Sequence, residues 1–442
     1  MERRESLHFA LTLTAGDTPF QEGGLGELTS IEMCAGAGGQ ALGLSLAGFT
    51  HLACVEVDPD ACRTLRANRP AWTVLEADIT SNEIVERARR SMAEDGWAGV
   101  DLLAGGVPCP PFSMAGKQLG HEDERDLFPA MIRLTEAARP RAVLIENVRG
   151  LLDPRFLQYR GRIADAFEDL GYEHMGWQLL NASDFGVPQL RPRVAMVALQ
   201  PEIAAHFTWP TPEGHELVTV GQTLRGLMGS GGWPGASAWA QAATAIAPTL
   251  VGGSKKHGGP DLGPTRAKRA WEQLGVNAHT IAETPPGPDH TGLPRLTVAM
   301  AAAIQGFPPH WRFEGRKTAA YRQVGNAFPP PVAKALGDAI SAAINASDAE
   351  EAAIRSSTDL IGIRSKRITH RIIEERVQAW HVRRRAESRD RIDRRNRTER
   401  DRIRLEIDRL RCQVSALEAV RGPDRELWAD EDPDRRASAI NP

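Results

Sequence analysis

Cys109 lies in Pro108-Cys109-Pro110-Pro111-Phe112-Ser113, directly after the apolar run Val100-Asp101-Leu102-Leu103-Ala104. A thiolate is a strong nucleophile that has to be aimed. Proline holds φ at about −65° and biases its predecessor toward extended backbone, so the three prolines around Cys109 leave its loop few conformations. The competing reading of a free cysteine is a small buried hydrophobe. Glu146, in Glu146-Asn147-Val148, follows the apolar run Ala142–Ile145 and so sits at a strand's carboxyl end. It is either a cap for the next helix or a carboxyl group held near Cys109. Partial burial would raise its pKa and let it donate a proton. Arg191 and Arg193, in Gln189-Leu190-Arg191-Pro192-Arg193, share one face of an extended segment. They suit carbonyl or phosphate oxygens, or else form surface salt bridges.

A second group of residues has the types of a nucleoside-binding turn. Cys34-Ala35-Gly36-Ala37-Gly38-Gly39 runs from a strand into a helix, where glycines let the backbone approach a ligand closely. Gly36, Gly38 and Ala41 meet the Ala-ended form of the dinucleotide fingerprint, which does not separate nicotinamide from other nucleoside cofactors. Glu56 ends the next strand, 18 residues beyond Gly38, where an acid commonly binds ribose hydroxyls. Asp78, in Ala77-Asp78-Ile79, follows a third short strand and could accept from an adenine amino group. Each acid alone also reads as a solvated turn residue.

These residues need a scaffold that brings strand ends together. Candidate strands are Leu28–Met33, Leu52–Val57, Thr73–Leu75, Val100–Ala104, Ala142–Ile145 and Val194–Leu199. Helical stretches alternate with them at Ala41–Ala47, Ala61–Asn68, Ile84–Ala93, Phe128–Ala138 and Arg162–Leu170. This alternation predicts an α/β protein with a parallel, doubly wound sheet and helices on both faces. From Pro201 to Pro294 the pattern dissolves into Gly, Pro, Thr and Trp, a stretch too long for an ordinary connection. Leu296–Gln305 and Pro331–Ile344 return to helical spacing.

Bulk properties exclude several classes. The 442 residues carry a net charge of −3, so no global basic footprint announces nucleic acid. Arg364 to Arg411 nevertheless holds 18 Lys/Arg against 9 Asp/Glu. Ile403, Ile407, Leu410, Val414 and Leu417 give a short heptad seam there. The charged start Met1-Glu-Arg-Arg-Glu-Ser has no apolar core behind it and does not read as a signal peptide. No apolar run approaches the roughly 18 residues of a membrane span. Five cysteines, Cys34, Cys54, Cys62, Cys109 and Cys412, lack metal-ligand spacing. No metal site is expected, and reduced thiols in a cytoplasmic protein are.

Taken in series, the segments from about Leu28 to Ile344 resemble the DNA (cytosine-5) methyltransferases. The glycine-rich turn, Glu56, Asp78, the Pro-Cys loop, Glu146-Asn147-Val148 and Gln189-x-Arg191-x-Arg193 follow the family's order. Arg295-Leu296-Thr297, Gln305-Gly306-Phe307-Pro308 and Gln323-Val324-Gly325-Asn326-Ala327 complete it. The resemblance implies a Rossmann-like S-adenosylmethionine-dependent methyltransferase fold and 5-methylcytosine as product. It implies that Cys109 attacks carbon 6 of a flipped-out cytosine in double-stranded DNA, and that Glu146 protonates ring nitrogen 3. Arg193 would bind the carbonyl oxygen with Arg191 beside it, and the base that removes the carbon-5 proton is not identified. S-adenosylmethionine would lie on Cys34, Ala35, Gly36, Ala37, Gly38 and Gly39. Glu56 and Val57 would be at its ribose, Asp78 and Ile79 at adenine, and Pro108, Asn326 and Ala327 nearby.

On this reading residues 1–200 bind cofactor and catalyse, 201–294 recognise the target, 295–345 return to complete the first domain, and 346–442 form a charged helical extension and tail. DNA contacts would come from Ser113, from the family's Thr-Leu pair Thr249 and Leu250, and from Lys255, Lys256, His257 and Arg266, which position without specifying. Glu32 and Cys34 stand where the family often has Asp and Phe. The Arg-rich extension reads as a linker or helix more than a DNA contact, since acids are interleaved. The expected protein is a monomeric, cytoplasmic enzyme of a bacterial restriction–modification system, with a cognate restriction endonuclease acting separately. Two other readings are a tRNA methyltransferase and a non-catalytic DNA-binding regulator. The insert favours DNA over tRNA, and competent residues at each catalytic position oppose the regulator.

Overall fold

The computed structural model describes residues 27–108, 126–212, 217–252 and 261–359. Seven strands form one sheet: β1 (Leu28–Met33), β2 (Phe49–Glu56), β3 (Val74–Glu76), β4 (Leu102–Gly106), β5 (Ala142–Val148), β6 (Glu173–Asn181) and β7 (Pro192–Leu199), ordered β3-β2-β1-β4-β5-β7-β6. β1, β4, β5 and β7 are apolar and buried almost continuously, as strands covered on both faces must be. The chain leaves β1 toward β2 on one side, while β4 lies on its other side, so a crevice opens at the carboxyl ends of β1 and β4.

The sheet is mixed rather than wholly parallel, because β7 runs antiparallel to both β5 and β6. β6, which the apolar pattern did not reveal, is an edge strand with an irregular register between His174 and Trp177. Strand ends also move: β4 reaches Gly106 and β5 reaches Val148, which puts Glu146 inside its strand.

Helices cover both faces. α1 (Gly39–Leu46), α2 (Pro59–Asn68), α3 (Asn82–Arg89), α4 (Phe128–Ala138) and α5 (Leu157–Asp169) follow the first strands. α2 begins at a proline behind Asp58, whose side chain accepts from the Asp60 N–H, a favoured helix start. α3 ends at Arg89, four residues earlier than expected. One face packs Ile31, Met33, Leu103, Phe128, Leu134 and Phe167; the other packs Leu44, Leu102, Leu144 and Val197 against Leu336 and Ile340.

The stretch after β7 is more helical than its composition suggested: α6 (Pro201–Ala204), α7 (Val220–Gly229), α8 (Ala236–Ala242) and α9 (Thr265–Gln273) lie within it. Ile203 and Phe207 pack with the sheet, so the sheet domain runs past 201. α10 (Val298–Ile304) and α11 (Lys317–Asn326) share a core with α7, α8 and α9 through Leu224, Trp239, Trp271, Met300 and Tyr321. α12 (Pro330–Asp359) alone of these returns to the sheet and continues beyond residue 346. It crosses α1 closely: a Cβ on Gly43 would lie 2.5 Å from Ala333 Cβ, and one on Gly337 2.6 Å from Ala47 Cβ. Arg141 holds its far end by pairing with Asp348 and Asp101.

Candidate active site

β1 ends in a turn that only unusual backbone can make. Cys34, Gly36 and Gly38 have φ of 53°, 53° and 86°. The Gly36 N–H donates to Glu56 Oε2 (2.7 Å), while Glu56 Oε1 accepts from the Val57 and Asp58 N–H groups (2.9 and 2.7 Å). Glu56 is thus fixed at the end of β2, facing the turn. Gly39 cannot be larger, since a Cβ there would lie 2.1 Å from the Phe328 carbonyl oxygen. Trp311 covers Gly38 and donates from its indole N–H to the Ala37 carbonyl (3.2 Å).

Above this turn and the carboxyl ends of β1, β2, β4 and β5 lies a cavity of about 830 Å³, within the range of small-ligand sites. Cys34, Ala35, Gly36, Ala37, Gly39, Glu56, Val57, Asp78, Ile79, Pro108, Asn326 and Ala327 all line it. Gly38 does not, being covered by Leu65 and Trp311. Asp78 Oδ1 accepts from the Thr80 N–H and hydroxyl, both at 2.8 Å. Burial, with Glu56, Glu32 and Asp78 nearby, pushes the Cys34 thiol far up, so it stays neutral.

Sequence reasoning noted Glu32 only as a family departure and missed Gln40; both line the cavity. Both carboxyl oxygens of Glu32 and both amide atoms of Gln40 are buried without a hydrogen-bond partner among the described residues. The signal was available for Glu32, a carboxylate inside an apolar strand. Unpaired buried acceptors and an amide donor beside open backbone suit a ligand with an ammonium and a nucleoside, the polar groups of S-adenosylmethionine.

At the cavity's other wall Glu146 pairs with Gly106 across β4 and β5 and with Ala195 across β7. A Cβ on Gly106 would lie 3.3 Å from Glu146 Oε2, so the missing side chain leaves room before the carboxyl group. Arg193 Nε contacts Glu146 Oε1 at 2.9 Å, both nearly buried. Burial pushes the Glu146 carboxyl up against the pull of Arg193 and Arg191, and pushes the Arg193 guanidinium down. Glu146 is therefore no helix cap but a carboxyl group biased toward holding its proton. Asn147 Nδ2 donates to the Val107 carbonyl (2.9 Å), pinning the start of the loop that leads to Cys109.

Pro108 lines the cavity, while Cys109 and Ser113 lie outside the described residues, as do Lys255, Lys256 and His257. Two expected residues sit elsewhere. Arg191 is fully buried and does not reach the cavity; it donates to the Leu250, Gly325 and Ala327 carbonyls at 2.8, 2.7 and 2.9 Å. Leu250, 1% exposed, is a core residue rather than a DNA contact, because its apolar side chain completes the second core. Thr249 is half-buried and its hydroxyl donates to the Leu190 carbonyl. Arg266 is exposed on α9.

Type II methyltransferase M.NaeI of Lentzea aerocolonigenes is 55% identical over 321 residues, covering 72% of this chain and 76% of the relative. Type II methyltransferase M.NgoMIV of Neisseria gonorrhoeae is 50% identical over 327 residues, covering 72% of this chain and 98% of the relative. A solved structure described as a DNA modification methyltransferase encoded within a prophage (E. coli) aligns with a TM-score of 0.51 at 22% identity, over 72% of this chain and 99% of that chain. That likeness speaks to the fold alone. The profile of the C-5 cytosine-specific DNA methylases matches residues 28–342, which hold both walls of the cavity. With these relatives and that match, the chain belongs to the C-5 cytosine-specific DNA methylases, enzymes that methylate carbon 5 of cytosine in DNA.

Proposed function

We propose that this enzyme modifies one cytosine within a short site of double-stranded DNA, using Cys109 as nucleophile and the Glu146–Arg193 pair to activate the ring. The observation that carries the reading is one cavity lined by a nucleoside-type turn, by the 2.9 Å Glu146–Arg193 pair and by Pro108, the residue before Cys109. S-adenosylmethionine, when bound, supplies an electrophilic methyl group. The backbone of residues 34–39 (Gly38 apart), with Glu56, Asp78, Asn326 and Ala327, would hold it.

A thiol cannot reach a stacked base, so the cytosine must first leave the duplex at a cost of a few kcal/mol. Cys109 adds as thiolate to carbon 6, forming a C–S bond as the ring electrons shift toward nitrogen 3. Glu146, whose hold on a proton burial strengthens, gives a proton to nitrogen 3. Arg193 binds the carbonyl oxygen and keeps Glu146 oriented. Carbon 5 is then nucleophilic toward the donated methyl group. Loss of the carbon-5 proton to a base breaks the C–S bond and restores Cys109 as thiolate, and the nitrogen-3 proton returns to Glu146.

The insert between β7 and α10 fits target recognition, with Arg266 and, from outside the described residues, Lys255, Lys256 and His257 on phosphates. Relatives named as Type II methyltransferases support a restriction–modification role. On this proposal the enzyme works in the cytoplasm as a monomer, with any endonuclease separate. No helix among the described residues is long and apolar enough to cross a membrane. Bisulfite sequencing of plasmid from an expressing host tests the reading: protected cytosines at one short sequence are expected. Cys109→Ser removes that protection while leaving S-adenosylmethionine binding intact, and full protection by that variant overturns the nucleophile assignment.

A further inference from the structure

Gln189, Arg191, Thr249-Leu250, Gln305 and Gly325 all belong to the signature segments, yet none of them lines the cavity. They meet behind it. Gln189 Nε2 donates to Gln305 Oε1 (2.7 Å), and Gln305 Nε2 donates to the Ala327 carbonyl (2.5 Å). Gln189 Oε1 accepts from the Leu250 N–H (2.8 Å). Arg191 joins the Leu250 carbonyl to those of Gly325 and Ala327. Its fully buried charge contacts carbonyl and amide oxygens and no carboxylate among the described residues. Moving either partner segment would strip acceptors from a buried cation, which is costly.

The insert also touches the cavity-lining helix end directly. A Cβ on Gly252 would lie 2.4 Å from the Arg322 carbonyl oxygen and 2.5 Å from Asn326 Oδ1; one on Gly325 would lie 2.3 Å from the Gly252 nitrogen. Asn326 and Ala327 face the cavity.

We propose that Gln189, Arg191 and Gln305 are positioning residues of a joint that makes the insert part of the cofactor site, so that changes confined to the insert alter cofactor affinity. The inference rests on the reading of the cavity as an S-adenosylmethionine site. Arg191 then acts through the 325–327 turn and not on the cytosine. By linkage, DNA held by the insert and cofactor held by that turn must influence each other through the joint.

The test measures S-adenosylhomocysteine binding by calorimetry on the full chain without DNA, with thermal unfolding beside it. Gly252→Ala, which adds one methyl group to the insert, weakens binding about tenfold, equivalent to about 1.4 kcal/mol. Thr249→Val, at the half-buried edge of the joint, weakens it about threefold and decides the matter if Gly252→Ala does not fold. Gly226→Ala, on α7 of the same insert with nothing within 4 Å of the added carbon, leaves affinity unchanged. A merely structural role lowers the melting temperature without moving affinity. Folded variants that bind as the wild type does overturn the joint alone. A wild-type chain that takes up no S-adenosylhomocysteine overturns the cofactor reading and the joint with it.

Discussion

Replacing Glu32 by glutamine keeps the shape of a protonated carboxyl group and removes its ability to ionise. Glu32 sits in β1 at 1% exposure with neither oxygen partnered among the described residues. Burial first, and the Glu146 charge second, push it well above its ordinary value of 4.5. A carboxyl group raised in the folded state favours folding fully below its unfolded value, and that contribution is lost as pH rises through the folded value. The loss is about 1.4 kcal/mol per pH unit while Glu32 stays protonated in the fold. Each pH unit over which that slope holds is a sizeable fraction of a typical folding stability. Glutamine has no such slope. His51, lowered to about 4, is present in both proteins and cancels in the difference. Urea denaturation at a series of pH values reads the effect directly. The stability difference between Glu32→Gln and wild type should grow in the variant's favour as pH rises from about 5 to about 7, at no more than about 1.4 kcal/mol per pH unit. Parallel pH profiles would refute the reasoning, because they would mean that the wild-type carboxyl is already ionised in the fold.

Arg193→Ala takes away the 2.9 Å partner of Glu146 and should push that carboxyl further up. It should also cut methyl transfer about 100-fold or more, as loss of one preorganised charge contact does, measured with labelled cofactor; wild-type turnover would remove Arg193 from the site. Gly39→Ala places a carbon 2.1 Å from the Phe328 carbonyl oxygen and should lower stability by roughly 1–3 kcal/mol, read as a shift in urea midpoint. An unshifted midpoint would show that α1 and the segment before α12 are not tightly docked.

Much of the scaffold was legible because parallel strands buried on both faces announce themselves as apolar runs; β1 and α4 have the expected bounds. Strand direction was not legible, since Val194–Leu199 reads equally apolar whichever way it runs. β6 escaped because Glu173–Asn181 lacks clean alternation and contains Gly176 at φ 93° beside its register shift. Among site residues, Glu56, Asp78, Glu146 and Arg193 line the cavity because strand ends converge there, a consequence of topology. Arg191 and Leu250 were misplaced for the opposite reason. Their positions in a motif say nothing about which way a side chain turns, and both turn into a buried seam between segments far apart in the chain.

That seam bears on how the protein is made. Trp311 reaches back 274 residues to the Ala37 carbonyl, and the Phe328 carbonyl closes on Gly39. A nascent polypeptide leaving the ribosome therefore displays its glycine turn long before the indole and the closing segment exist. Capture of the methyl donor has to wait for synthesis to pass residue 328, and contacts of such long sequence separation make the final assembly of the pocket a slow step.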